Sequence, residues 1–177
     1  VVVFATEVEG FQVAAGAAER AAEAVGLTVL GRIDAPAEQA SYRAEAEQIA
    51  AQARPGDLVV YCPDQLGPAG SRAVSAAGAE VEQVLYPTFG DPRFVDWVDY
   101  ESRNDAQDPA AFAAEVVSAV GAQRGIFVVW SGAYPTCEED CEQLVASIGA
   151  ARPGQELLSE DGTFFEKAYV TWFPAIG

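Results

Sequence analysis

The feature that most constrains this fold is a repeated alternation of short apolar runs with segments of helical periodicity. The runs at residues 1–5, 58–62 and 126–130 are apolar at consecutive positions, which is typical of strands buried on both faces. Weaker strand patterns lie at 27–33 and 81–86, and helical patterns lie at 10–25, 37–53, 71–77, 108–120 and 137–150. Alternation on this scale predicts an α/β fold: a three-layer, Rossmann-like or flavodoxin-like domain with a mostly parallel sheet.

Local signals mark several boundaries of these elements. Gly26 is expected to stop the first helix, and Asp108 followed by Pro109 predicts a helix start, with Asp as the N-cap and Pro at the first helical position. Residues 156–158 and 164–173, with Asp161-Gly162 at the turn, predict a C-terminal β-hairpin or a pair of edge strands. We expect residues 1–177 to form one domain.

The charge of the chain restricts its partners. Twenty-seven acidic residues face ten basic ones, so the net charge is −17. This field repels phosphate backbones and anionic headgroups, so we expect binding neither to nucleic acid nor to a membrane surface. No apolar run approaches the roughly 20 residues of a membrane span, and no long apolar stripe is evident. We therefore expect a soluble monomer, and the absence of Met suggests a mature product or an excised piece.

The chain contains no histidine, which excludes Ser-His-Asp and Cys-His catalysis within it and removes the commonest transition-metal ligand. No G-x-G-x-x-G follows a strand, so a dinucleotide is not expected, and we expect no cofactor and no metal. A flavodoxin-like FMN electron carrier is an alternative, since Phe89-Gly90-Asp91 follows the fourth strand, but the loop at 6–10 carries two carboxylates where a phosphate would bind. A protein-interaction module without a small ligand is a further alternative.

Ligands of such sheets bind beyond the carboxyl ends of the strands, here the loops at 6–10, 63–72, 87–103 and 131–137. Within the third stretch, Asp96, Trp97, Asp99, Tyr100 and Arg103 place carboxylates beside aromatic rings, a combination that suits carbohydrate. The alternative is a structural loop in which Trp97 and Tyr100 cover the sheet edge and Asp99 pairs with Arg103. Similarly, Asp64-Gln65 either contacts a ligand or only caps the short helix that follows.

The three cysteines leave two interpretations open. Cys62 ends a strand at the edge that bears these loops, and Cys137 and Cys141 begin a helix at the same edge. In an oxidising compartment Cys62 could bridge to either of the other two, leaving one thiol. In a reducing cytoplasm all three would be buried thiols.

Four segments carry a resemblance to a known family. They are YCPDQLGP at 61–68 with Ser71-Arg72, VDWVDY at 95–100 with Arg103-Asn104 and Asp108-Pro109, VWSGAY at 129–134 with Cys141-Glu142, and FEKA at 165–168 leading to Phe173-Pro174. This set resembles the C-terminal soluble region of actinobacterial multi-spanning glycosyltransferases, similar to the family 39, mannosyltransferase-like group with the GT-C fold. The similarity covers roughly residues 42–174 and leaves the first 40 residues unmatched.

Such enzymes use polyprenyl-phosphate sugar donors outside the cytoplasmic membrane, with a catalytic carboxylate in the transmembrane part. The resemblance implies that this chain is extracytoplasmic, not catalytic alone, and works with that transmembrane part to position an acceptor glycan of the cell wall or to cap the active site. It also implies a disulfide between Cys62 and Cys141, with Cys137 outside it. The candidate ligand-binding residues are Asp64, Gln65, Arg72, Asp96, Trp97, Asp99, Tyr100, Arg103, Ser131 and Tyr134.

Overall fold

The computed structural model describes residues 2–6, 9–29, 31–35, 42–132, 137, 139–159 and 168–177. The chain divides into two compact units, residues 1–41 and residues 42–177. The boundary between them coincides with the start of the region that carries the family resemblance. The organisation of all 177 residues as one domain stays a prediction.

The first unit is a βαβ arrangement. Strand β1 (Val2–Thr6) precedes helix α1 (Glu9–Ala24), and strand β2 (Gly31–Ala35) pairs with β1 in parallel. Gly26 has a φ of 79°, in the left-handed region where a side chain is strained, so it ends the helix as the sequence predicted. The second strand begins four residues later than the predicted start at residue 27.

The second unit contains a five-stranded mixed sheet with the order β4-β3-β5-β7-β6. Strand β3 (Leu58–Cys62) pairs in parallel with β4 (Glu82–Leu85) and with β5 (Ile126–Trp130). Strand β7 (Tyr169–Phe173) pairs antiparallel with β5 and with β6 (Gln155–Leu158). The α/β class is therefore confirmed, as a mixed sheet with a parallel part and an antiparallel part.

The strand alternation predicted one continuous sheet, whereas β1 and β2 form a separate two-stranded sheet among the described residues. The composition of β2 gives the physical reason, because Arg32 and Asp34 alternate with Gly31, Ile33 and Ala35. An inner parallel strand is apolar on both faces, and β2 is not. By contrast, every residue of β3 is buried.

The helices of the second unit lie on both faces of its sheet. They are α2 (Arg43–Gln52), a 3₁₀ turn (Asp64–Leu66), α3 (Gly67–Ala76), α4 (Tyr100–Asp105), α5 (Pro109–Val120) and α6 (Asp140–Ala151). The start of α5 is as predicted, because the Asp108 carboxylate accepts hydrogen bonds from the amides of Ala110 and Ala111 at 2.9 and 3.1 Å.

Alternation along β3 divides the core between the two faces. Leu58, Val60 and Cys62 pack with α5 and α6, whereas Val59 and Tyr61 pack with α2 and α3. Full burial of one such aliphatic side chain stabilises the fold by about 1.5–3 kcal/mol. The centre of the sheet is therefore a rigid support for the loops at its ends.

Buried polar groups fix the amino edge of the sheet, where β3 and β5 begin. The Asp57 carboxylate accepts a hydrogen bond from the Gly125 amide at 2.6 Å. The buried guanidinium of Arg152 donates to the carbonyls of Arg124 and Gly121 at 2.9 and 2.6 Å. These bonds tie the turn before β5 to the start of β3 and to the end of α6, so this edge is structural.

The predicted C-terminal hairpin is consistent with the antiparallel pairing of β6 and β7, and its Asp161-Gly162 turn lies outside the described residues. Within the described ranges, no helix is both long and apolar enough to cross a lipid bilayer.

Candidate ligand-binding site

The candidate site lies at the carboxyl edge of the sheet, where β3 and β5 end. Asp64 follows β3 by two residues and begins the 3₁₀ turn that leads into α3. Its side chain is only 3% exposed. A carboxylate is expensive to bury without partners, so the groups around it define the site.

Tyr100, at the start of α4, supplies the main partner. Its hydroxyl donates to Asp64 Oδ1 at 2.7 Å and accepts a bond from the Gln65 side-chain amide at 3.1 Å. One charge-assisted hydrogen bond therefore joins two residues that are 36 positions apart in the sequence. The alternative in which Asp64 and Gln65 only cap the short helix does not fit, because no side chain caps the start of α3 and both residues bind Tyr100.

Arg103 links this buried carboxylate to a surface one. Its guanidinium lies 3.6 Å from Asp64 Oδ2 and 3.0 Å from Asp96 Oδ2, and it also donates to the Asp96 carbonyl. The expected pairing of Arg103 with Asp99 is wrong: Asp99 contributes its backbone carbonyl, which accepts from the Arg103 amide at 2.9 Å. Asp99 has a φ of 50° at the start of α4, a conformation that Asp tolerates better than most residues.

Burial and hydrogen bonding perturb the titration of this cluster. Burial raises the pKa of Asp64 above its usual value, and the Tyr100 hydroxyl and the Arg103 guanidinium partly oppose that rise. The pKa of Tyr100 is raised by its own burial and by its bond to Asp64. At neutral pH the Tyr100 hydroxyl therefore keeps its proton and can donate it in the hydrogen bond to Asp64.

Trp97 provides the exposed aromatic surface beside this cluster. Its ring is 63% exposed, and its centroid lies 5.1 Å from that of Tyr100. Tyr100 is itself flanked by Arg103, whose guanidinium carbon lies 5.5 Å from the ring centroid. The alternative in which Trp97 covers the sheet edge does not fit this exposure, whereas an indole face open to solvent fits a stacking role.

A pocket of about 200 Å³ opens next to these side chains, and we call it the Asp64 pocket. The carboxylates of Asp64 and Asp96 and the guanidinium of Arg103 line it, together with Thr88 and Phe94. The lining therefore combines acceptors, a donor and an apolar ring at close range. Such a surface can bind hydroxyl groups and the C–H face of a sugar.

Of three further predicted residues, two lie away from the Asp64 pocket and one is not described. Arg72 lines a different pocket, between α3, β4 and the loop after β4. Ser131 is buried after β5, where its amide donates to the Cys62 carbonyl at 3.0 Å, and it does not line the Asp64 pocket. Tyr134 lies outside the described residues.

A disulfide supports the same edge of the sheet. Cys62, the last residue of β3, is bonded to Cys141 in the first turn of α6, with their Cα atoms 5.6 Å apart. This is the pair that the family resemblance implies, and the buried Cys137 is not part of it. Because Cys62 stands two residues before Asp64, the disulfide anchors the backbone that carries the buried carboxylate.

One polar pair at this edge was not predicted from the sequence. The buried Tyr86 donates its hydroxyl to Asp140 Oδ2 at 2.8 Å, which joins the end of β4 to the start of α6 across 54 residues. Burial and this bond raise the pKa of Tyr86. No local pattern could have paired the two residues, since each is unremarkable in its own segment.

In the part of the chain that the structure describes, no group of three or more Cys, Asp or Glu side chains is placed to hold a metal ion. Both carboxylates of the Asp64 pocket are paired within the chain, because Tyr100 donates to Asp64 and Arg103 lies against Asp96.

Comparison with known proteins adds no assignment. No family model matches the chain, and neither a curated protein nor a solved structure gives a significant match.

Proposed function

We propose that this chain is the extracytoplasmic domain of a membrane glycosyltransferase that uses polyprenyl-phosphate sugars, and that it positions the acceptor glycan or caps the active site. The observation that carries the proposal is the Asp64 pocket with the exposed Trp97 beside it. The catalytic carboxylate belongs to the transmembrane part, which is the partner of this domain. A Rossmann-like arrangement of the second unit would present the pocket at the carboxyl edge of its sheet.

The chemistry of the pocket favours a neutral sugar. Trp97 offers an open aromatic face for a pyranose ring, and Asp96 is 69% exposed in its side chain while Arg103 holds it in place. A carboxylate fixed in this way can accept hydrogen bonds from hydroxyl groups without first losing conformational freedom. Asp64 and Tyr100 keep α4, and hence Arg103, in position below the ligand.

The disulfide between Cys62 and Cys141 supports an extracytoplasmic location. Structural disulfides persist in oxidising compartments and are rare in the cytosol. Both cysteines are fully buried, so the bond is part of the core rather than an accessible redox pair. Sequencing the gene around this segment tests whether the chain is part of a membrane glycosyltransferase. A gene that encodes no flanking transmembrane helices would contradict that proposal.

Titration with a panel of neutral oligosaccharides tests the binding role. In ¹⁵N–¹H spectra the Trp97 indole signal is expected to shift, whereas the indole of Trp172, whose Nε1 atom is buried, serves as an internal control. Asp96→Asn is expected to weaken the response of the Trp97 indole, and Trp97→Ala is expected to abolish the shifts that the oligosaccharide causes in the backbone amides of Asp96 and Tyr100. Glu101→Gln is the matched control for Asp96, since it removes another exposed carboxylate on α4.

An unchanged Trp97 signal with every oligosaccharide would remove the glycan-binding role. A response that Glu101→Gln weakens as much as Asp96→Asn would place the ligand away from the Asp64 pocket.

A further inference from the structure

A second pocket, of about 590 Å³, adjoins the Asp64 pocket, and we call it the Arg72 pocket. It lies between α3, β4 and the loop that follows β4. Gly90 and Asp91 line both pockets, so the two are neighbours that share this short stretch of backbone. The volume lies within the range of small-molecule sites, which is about 300–1,000 Å³.

The charge of the Arg72 pocket is opposite to that of the chain. Two guanidinium groups, those of Arg72 and Arg93, line it against the single carboxylate of Asp91. Asp91 is bonded to Arg93 at 2.5 Å, and this bond lowers the pKa of Asp91 to about 2. Arg72 makes no ion pair or hydrogen bond among the described residues. The exposed guanidinium of Arg72 is therefore available to an anion, although the net charge of the chain is −17.

Ser71 supplies a second donor to the pocket. The residue is 4% exposed and lines the Arg72 pocket, and its hydroxyl makes no hydrogen bond in the part of the chain that is described. Its Oγ atom is not among the fully buried polar atoms that lack a partner, so the hydroxyl opens into the pocket and can donate to a ligand. A ligand oxygen in the pocket would supply the partner.

Several other residues that line the Arg72 pocket are held in place. The Tyr61 hydroxyl donates to Gln83 Oε1 at 2.6 Å, and Gln83 in turn donates to Ser75 Oγ at 3.4 Å. Phe89, which also lines the pocket, stacks on Phe112 with ring centroids 4.3 Å apart. The pocket thus has a fixed polar side and a fixed aromatic side.

We propose that the Arg72 pocket binds an anionic substituent, a carboxylate or a phosphate, carried by the glycan whose neutral ring lies against Trp97. The Arg72 guanidinium pairs with the anion and the Ser71 hydroxyl donates to it. That the anion and the neutral ring belong to one glycan rests on the proposed function. In that arrangement, Gly90 and Asp91 would lie under the bond that links the anionic substituent to the ring. The anion pocket itself rests only on its own lining.

The test titrates the full chain with inorganic phosphate and, separately, with sodium glucuronate. The amides of Ser71, Arg72 and Gly90 are expected to shift in ¹⁵N–¹H spectra. Arg72→Gln is expected to weaken binding about tenfold to a hundredfold, the loss that corresponds to one charge-assisted hydrogen bond. Ser71→Ala is expected to weaken it about fivefold, as for one neutral hydrogen bond. Arg54→Gln removes another exposed guanidinium at the opposite edge and is expected to change nothing.

Shifts with phosphate alone or with glucuronate alone support the pocket and identify its anion. No shift with either, or equal affinities for Arg72→Gln and Arg54→Gln, would overturn it. Binding of the anion without any response of Trp97 to neutral oligosaccharides would leave the Arg72 pocket standing and remove the glycan-binding role of the proposed function. A response of Trp97 to neutral oligosaccharides without any shift on adding phosphate or glucuronate would remove only the anion pocket.

Discussion

Reduction of the disulfide between Cys62 and Cys141 is expected to destabilise the second unit strongly. The bond closes a loop with a sequence separation of 79 residues. In the chain-entropy model, a cross-link of that span removes about 15 cal/mol/K from the unfolded ensemble, which is about 4.5 kcal/mol at 25 °C. Comparing the oxidised and reduced forms of one sequence leaves the core volume unchanged, so no cavity term is added.

Both cysteines are fully buried, so the reduced form is prepared by unfolding in urea with a thiol reductant and refolding in its presence. Urea titration monitored by tryptophan fluorescence then gives the two free energies of unfolding. For a slope of about 2 kcal/mol/M, the midpoint is expected to fall by about 2 M. Cys137→Ala, which leaves the disulfide intact, is expected to show the same difference between its oxidised and reduced forms.

A midpoint that moves by less than about 0.5 M would refute the reasoning, because the loop entropy would then be recovered by structure in the unfolded chain. If the loss of stability on reduction disappears in Cys137→Ala, the Cys137 thiol takes part in the effect by exchanging into the disulfide between Cys62 and Cys141.

Three further predictions concern single residues of the second unit. Tyr100→Phe is expected to lower the free energy of unfolding by about 1.5–3 kcal/mol in urea titrations, because the buried Asp64 carboxylate loses its donor. A ¹³C titration of the carboxyl groups should place the pKa of Asp64 above 3.8, and Tyr100→Phe should raise it further. Because the folded pKa exceeds the unfolded one, the contribution of Asp64 to stability is greatest below the unfolded pKa and falls as the pH rises through the folded pKa. Gly70→Ala is expected to cost about 1–3 kcal/mol in thermal or urea unfolding, because the added Cβ would overlap the Tyr61 ring, and an unchanged stability would show that the ring can move.

Strong periodicity and strong local signals were enough to predict several elements of this fold. The consecutive apolar residues of β3 and β5 define both strands at their observed bounds, and Asp108-Pro109 defines the start of α5. In each case the signal comes from burial on two faces or from a cap, which act within a few residues.

The candidate site was predicted only in part. The sequence predicted Trp97, Tyr100 and Arg103 as candidate ligand-binding residues, and the structure places them around one buried carboxylate. The sequence did not predict α4, because the six residues of that helix carry no apolar stripe. Its position depends on the bond from Tyr100 to Asp64, which is 36 residues away. The sequence also offered Asp99 as the partner of Arg103, since the two are four residues apart. The structure uses Asp96 instead, and a pairing of that kind is decided by backbone conformation that spacing does not reveal.

The antiparallel strand β7 has a consequence for the order in which the second unit can form. It lies between β5 and β6 and not at the edge, and its residues Val170 and Phe173 are buried in the two faces of the core. A nascent chain that has emerged only as far as β6 therefore exposes the apolar flank of β5 without its neighbour. The sheet cannot be completed until β7 is available. Nearly all of this unit must therefore leave the ribosome or a translocation channel before its contacts of longest sequence separation can form.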